Sequence, residues 1–268
     1  MKIIHSLWSL PLLRERWGIS EQFTRSYNLF KLSFLYAKRL GYEVVLHTDD
    51  TGYELLKDVG YDRIELSLND FKEADKDFWA MSKIRALELE DLGSIHIDGD
   101  VFLKSSRIKE IFEQDYDVLT QMPEALENYN RNYRHQVELV NSVSKLIQSP
   151  VRHSYNCGVI GFKDAELFSE YVKLSKALVD LYKNTFKLKD YYRYEYRHYE
   201  RMLIAEQYSL PVLTERLNKN AKFIINQDDD IDQVCEEYGF VHAIGQYKYS
   251  DEFQSLVLQR TKQLQDDI

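Results

Sequence analysis

Short apolar blocks alternate along this chain with longer stretches in which apolar residues recur every three or four positions. Blocks of the first kind predict strands and stretches of the second predict helices. Lys2 to Leu7 reads as a strand, and Glu21 to Leu40 as a helix with the stripe Phe23, Tyr27, Phe30, Phe34 and Ala37, ended by Gly41. Glu43 to His47 is apolar at its centre, as expected of a buried strand. A short helix at Tyr53 to Asp58, a strand at Arg63 to Leu66, a helix at Phe78 to Leu89 and a strand at Ser94 to Ile97 follow. Beyond Asp100 the pattern predicts a helix at Ile108 to Glu113, a strand at Asp117 to Gln121 and a long helix within Asn132 to Ile147. Then come a strand at Tyr155 to Phe162 and a helix from Ala165 to about Tyr182. Lys183 to Tyr196, crowded with Lys, Arg and Tyr, reads as a mobile loop. A helix at Tyr199 to Tyr208, strands at Phe223 to Ile225 and Phe240 to Ala243, and an amphipathic helix at Asp251 to Gln265 close the chain. The stripe Phe253, Leu256, Leu258 would dock that last helix on the domain, and its exposed remnant is a surface for a homodimer or a membrane-bound partner enzyme.

This alternation predicts an α/β domain with a mainly parallel central sheet and helices on both faces. No repeat or Gly/Ser linker interrupts it, so one domain over 268 residues is expected. A hydrophobic fraction of 44% excludes a disordered chain. The net charge of −9 argues against a general nucleic-acid binder, while leaving room for a local basic pocket. Cys157 and Cys235 are too few for a disulfide scaffold or a thiolate zinc site. No apolar run reaches the roughly 18 residues of a membrane helix. The N-terminal stretch superficially looks like a signal peptide, but His5 and Pro11 interrupt it and Arg14, Glu15 and Arg16 follow it, so a buried first strand and a cytoplasmic protein are expected.

Ligands of parallel sheets sit beyond the carboxyl ends of the strands, which directs attention to three segments. In Ser94-Ile-His-Ile-Asp98-Gly99-Asp100, a buried strand delivers two carboxylates around one glycine. Oxygen ligands suit Mg²⁺ or Mn²⁺, and Gly99 lets the backbone turn or approach a ligand. The same spacing also fits a strand-to-turn junction with two solvated acids. In Tyr155-Asn156-Cys157-Gly158, an amide that can bond sugar hydroxyls opens a strand, as can an ordinary strand-entry Asn with bulge glycines. In His242-Ala-Ile-Gly245-Gln-Tyr-Lys248, an imidazole can complete a metal shell and a Gly-flanked Lys can hold a diphosphate. A lone His near a strand end is also commonly structural, and His5, His47 and His96 are read as core or edge residues.

Taken in order, Asp98-Gly-Asp100, Asn156-x-Gly158 and His242-x-x-Gly245-x-x-Lys248 resemble the retaining sugar-nucleotide glycosyltransferases of the GT-A fold, the group containing glycogenin and bacterial lipopolysaccharide galactosyltransferases. The resemblance implies a GT-A-like domain with a nucleotide-binding half to about residue 104 and an acceptor half beyond it. It implies transfer of a hexose from a nucleoside-diphosphate sugar, UDP-linked, to a glycan or glycoconjugate such as a surface polysaccharide. By it, Asp98, Asp100 and His242 hold Mn²⁺ or Mg²⁺, Lys248 with Gly245 contacts the diphosphate, Asn156 and Gly158 border the sugar, and Leu7, Trp8 and Ser9 receive the base. Lys83, with Arg85 in reserve, matches a basic position facing the donor, although two solvated helix cations are the plainer reading. The chain departs from the family pattern where Tyr199-Glu200-Arg201 replaces an Asp-Gln pair, leaving Glu200 as its stand-in, and where Tyr-Ser follows Lys248 in place of Pro-Trp. The loop after the first strand also lacks the usual Thr and Tyr. The Lys183 to Arg197 segment can serve as a lid, an acceptor site or a partner surface. Two rivals stand beside this reading: a haloacid-dehalogenase-type phosphatase using Asp98 and Asp100, and a catalytically silent nucleotide-sugar-binding protein.

Overall fold

The computed structural model describes residues 1–13, 21–72, 77–185 and 198–266. The described chain forms two compact units. The first comprises Met1–Lys76, Ser82–Gln114 and Asp229–Ile268, and the second Asp77–Met81 with Asp115–Asp228.

The first unit opens with β1 (Lys2–Leu7), α1 (Ser9–Leu13), α2 (Gln22–Arg39), β2 (Glu43–Thr48), α3 (Asp50–Leu56), β3 (Arg63–Glu65), α4 (Met81–Glu88), β4 (Ile95–Ile97), β5 (Val101–Leu103) and α5 (Ile108–Phe112). Its sheet runs β3-β2-β1-β4 with every pairing parallel. Ile3, Ile4, Val44, Val45, Leu46, Ile95 and Ile97 are completely buried, as expected of parallel strands covered by helices. Asp49 caps α3 by accepting from the Gly52 amide at 2.8 Å. The same carboxylate accepts from the Ser9 amide at 3.1 Å and the Ser9 hydroxyl at 2.7 Å, which ties the exits of β1 and β2 together.

The second unit contains β6 (Val118–Glu124), α6 (Leu126–Asn132), α7 (Arg134–Val143), β7 (Ser154–Phe162), α8 (Ala165–Thr185), α9 (His198–Leu203), a π-helical turn (Ile204–Tyr208), α10 (Ser209–Leu217) and β8 (Ala221–Phe223). β6 pairs antiparallel with β7 and parallel with β8, and the β6–β7 register shifts between Thr120 and Met122. The strand count across both units is therefore mostly parallel, and the protein is α/β. The helix expected within 132–147 is α7, and the polar run from Leu126 is helical too, with a break at Tyr133 separating α6 from α7. The loop read from Lys183 onward begins later: Lys183 to Thr185 complete α8, and 186–197 lie outside the described residues.

The chain then returns to the first unit with α11 (Ile231–Tyr238), β9 (Phe240–His242) and α12 (Asp251–Asp266). α12 docks by a different face from the one expected. Leu256 and Leu258 are exposed, whereas Gln254, Val257, Thr261 and Leu264 are buried. Polar anchors on α2 choose that face: Asn28 donates to the Gln254 amide oxygen at 2.8 Å, and Arg260 donates to the Tyr36 hydroxyl at 2.7 Å. No helix among the described residues is long and apolar enough to cross a membrane.

Candidate metal and diphosphate site

The site begins where β4 stops. Asp98, Gly99 and Asp100 form the turn into β5, and the Val101 amide donates back to the Asp98 carbonyl at 2.9 Å. β5 pairs antiparallel with β9, placing Val101 opposite His242. The Ala243 amide donates to the Asp100 carbonyl at 3.0 Å, so two backbone segments far apart in the chain are locked side by side. One ligand atom each from Asp98, Asp100 and His242 then lie within 4.8 Å of one another, the one such group of acids and histidines among the described residues.

Lysines complete the arrangement. Lys248 pairs with Asp100, whose other oxygen lies 3.4 Å from His242 Nε2. Gly245 takes φ +84°, a conformation that favours glycine, and starts the short 3-10 turn Gln246–Tyr249 that carries Lys248. Gln254 of α12 donates to the Lys248 carbonyl at 2.8 Å, and Arg25 of α2 donates to the Tyr249 carbonyl, so the turn is braced from two helices. From α4, Lys83 reaches Asp98 Oδ1 at 2.9 Å, with its side chain only 4% exposed. Of the two α4 cations it is Lys83 that meets the acids, while Arg85 is half-buried.

Burial alone would raise the Asp100 carboxyl, but the charges of Lys248 and His242 outweigh it and hold the group well below the ordinary carboxylate range. Burial likewise opposes charge on Lys248, and the Asp100 carboxylate overrides it, so the ammonium is held above its usual value. His96 is fully buried beneath the acids. Burial, reinforced by the charge of Lys83, keeps its imidazole well below the usual histidine value. Its Nε2 lies 2.8 Å from Ser6 Oγ, and its Nδ1 has no hydrogen-bond partner although Asp98 Oδ1 is 3.9 Å away. His96 is thus less fully satisfied than a core residue should be. His5 and His47 do follow the core reading: His5 meets Tyr61 and Ser33, and His47 meets Ser67 and Glu90.

Gly99 has a different reason from the one anticipated. A Cβ there would overlap the ring of Phe30, so the space beside it is filled by α2 rather than left for a ligand. Leu7 and Trp8 are buried, Trp8 against the edge of Phe71 at 5.2 Å, and the Ser9 hydroxyl is engaged by Asp49. Asp49 is readable from sequence only as an Asp before a helical start, which is a capping signal. Asn156 and Gly158 belong to the second unit, inside β7 rather than at its entry, and the Asn156 side-chain oxygen accepts from the Gly158 amide at 3.0 Å. Glu200 falls in α9, with its side chain outside what is described. Both cysteines are free thiols, Cys157 fully buried in β7.

Two carboxylates and one imidazole form a hard oxygen-rich donor set of the kind that takes Mn²⁺ or Mg²⁺, and the unpaired His96 nitrogen supplies a hydrogen-bonding group beneath it. The residues present therefore fit a divalent cation.

A family model described as a family of unknown function, DUF6734, matches residues 1–266. No curated protein matches the chain in sequence. Among solved structures, the galactosyltransferase LgtC in complex with donor and acceptor sugar analogues is similar at 12% identity over 100% of this chain and 96% of that one, with a TM-score of 0.49. Mouse xyloside xylosyltransferase 1 in its apo form is similar at 12% identity over 89% of this chain and 90% of that one, with a TM-score of 0.40. A Desulfovibrio desulfuricans G20 protein, provisionally assigned as a nucleotide-diphospho-sugar transferase, is 11% identical over 98% of this chain and 97% of that one, with a TM-score of 0.41. At these identities and scores the likenesses assign no activity.

Proposed function

This chain belongs to the DUF6734 family, whose function is unknown, and we propose that it is a GT-A-like, metal-dependent glycosyltransferase that moves a sugar from a UDP-linked donor to a glycan or glycoconjugate acceptor. The observation that supports this reading is the convergence of Asp98, Asp100 and His242 within 4.8 Å, with Lys248 and Lys83 paired to the two acids, at the carboxyl end of a parallel strand. As the acceptor hydroxyl oxygen bonds to the anomeric carbon and gives up its proton, the bond from that carbon to the diphosphate breaks, and the nucleoside diphosphate departs with the electron pair and its negative charge. Two lysines already fixed in place meet that charge without reorganising at the moment of reaction. A divalent cation held by Asp98, Asp100 and His242 would supply further positive charge there. In this reading Lys248 and Gly245 contact the diphosphate, and Lys83 faces the donor beside Asp98. By the motif resemblance alone, Leu7 to Ser9 are assigned to the base, Asn156 and Gly158 to the sugar, and Glu200 to the place of the family's Asp-Gln pair.

Calorimetric titration with UDP, GDP and CDP, each with and without Mn²⁺, tests the proposal on wild type and Asp100→Asn. Metal-dependent binding of UDP, lost in the variant, is expected. If none of the three nucleotides binds, the proposal falls. If UDP binds equally well in Asp100→Asn, the metal assignment falls.

A further inference from the structure

The second unit carries a cavity that the donor site does not use. It has a volume of about 560 Å³, within the range of roughly 300–1,000 Å³ typical of small-ligand sites. It lies beyond the carboxyl ends of β6 and β8 and at the start of β7, since Glu124 pairs with Ser154 and Thr120 with Phe223. Its lining includes Glu124, Arg152, Tyr155, Phe223, Asn226 and Asp228.

Three features of that lining point to one ligand chemistry. Tyr155 and Phe223 meet edge to face at 4.9 Å, giving an apolar aromatic wall beside polar groups. Glu124 is oriented before any ligand arrives: its Oε2 accepts from the Tyr133 hydroxyl at 2.6 Å and from the Ser154 hydroxyl, while its Oε1 makes no hydrogen bond among the described residues. Arg152 is exposed, its guanidinium donating to the Val151 carbonyl at 3.1 Å and lying 5.8 Å from the Tyr129 ring centre. An acceptor with one oxygen to spare, a guanidinium donor and an amide at Asn226 thus surround an aromatic wall. Vicinal hydroxyls of a sugar ring satisfy both donors and acceptors at once, and the ring's C–H face packs on aromatic carbon. An anionic ligand would meet the carboxylates of Glu124 and Asp228 against the single charge of Arg152, which disfavours a phosphate or a uronate.

We propose that this cavity is a binding site for a neutral carbohydrate, with Glu124 as its orienting acceptor and Phe223 as its stacking surface. The site stands independently of the donor reading. The full chain, labelled and applied without nucleotide or metal to an array of lactose, cellobiose, maltotetraose and matched uronate-terminated oligosaccharides, tests it. Retention of neutral glycans over acidic ones is expected, and Glu124→Gln and Phe223→Leu should each weaken the best glycan at least about tenfold by calorimetry. Phe223→Leu removes the ring while leaving an apolar side chain, and carries the test if Glu124→Gln does not fold. Asp100→Asn is expected to bind glycans like wild type, so loss of nucleotide binding leaves this inference standing. The inference is overturned if no neutral glycan is retained, if acidic glycans are preferred, if UDP competes without metal, or if both variants bind as wild type does.

Discussion

Two clusters in the first unit draw on the same residue types and resolve them in opposite ways. In one, Glu90 is 2% exposed and both its oxygens are taken: Lys2 donates at 2.6 Å, His47 Nε2 lies at 2.9 Å, and Arg63 donates as well. Burial pushes that carboxyl upward, yet the hydrogen bonds from Lys2, Arg63 and His47 hold it below its ordinary value. In the other, two carboxylates share one turn, Asp98 stays 29% exposed, and a histidine nitrogen converges on both. One acid surrounded by donors has no coordination left to offer and acts as a structural tie. Two acids brought to one point repel each other unless positive charge stands between them, and part of that charge is exchangeable. The number of carboxylates meeting at the point, rather than the presence of a histidine, separates the tie from the candidate site.

The largest contrast should come from deleting the tie. Glu90→Ala leaves Lys2 and Arg63 without their shared partner and is expected to cost about 3 kcal/mol in urea unfolding, while the folded fraction keeps any Mn²⁺-dependent UDP binding. A comparable loss of UDP affinity in the folded protein would erase the distinction between the clusters. Asp100→Asn should do the reverse, lowering Mn²⁺-dependent UDP affinity about a hundredfold by calorimetry with a cooperative urea transition retained.

Acid sensitivity belongs to a third histidine. Burial holds His5 down to about 3, against an ordinary value of 6.5. Between those values the unfolded chain carries a proton that the folded chain lacks, so this contribution is complete above 6.5 and is lost as pH falls toward about 3. From pH 7 to pH 5 the loss attributable to His5 is about 2 kcal/mol. Urea titrations at the two pH values should show it, and His5→Gln should flatten the dependence. An unchanged slope in that variant would move the acid sensitivity elsewhere, His47 and His96 being shifted in the same direction.

The smallest effect concerns the glycine between the two acids. Gly99→Ala forces a methyl group against Phe30 and is expected to cost about 1–2 kcal/mol in thermal or urea unfolding, leaving UDP affinity of the folded protein near wild type. A variant of full stability with impaired nucleotide binding would instead make Gly99 a ligand contact.

Much of this molecule is written locally. The strands at Lys2–Leu7 and Glu43–Thr48, the helix Gln22–Arg39 and the strand at Ser154–Phe162 follow from β-branched blocks, helical periodicity and terminating glycine, because burial of one face or both leaves a periodic trace in the chain. The acids of Asp98-Gly-Asp100 were equally visible, since they interrupt an apolar strand. Other features left no such trace. Val101–Leu103 is three residues, too short to show a period, and although Phe240–His242 falls within a predicted strand, neither segment announces the pairing that carries His242 to Asp100. The leucine stripe of α12 does not set its docking face, because Asn28 and Arg260, in hydrogen bonds to partners far along the chain, anchor a different one. Phe30 and the oriented Glu124 act through neighbours that only folding supplies. The sequence by itself determined most of the strands and helices and which residues are candidates for the site. Which of those residues meet was decided by tertiary structure, because a long-range pairing is chosen by the summed burial and hydrogen bonding of both partners, and neither partner's segment encodes the other.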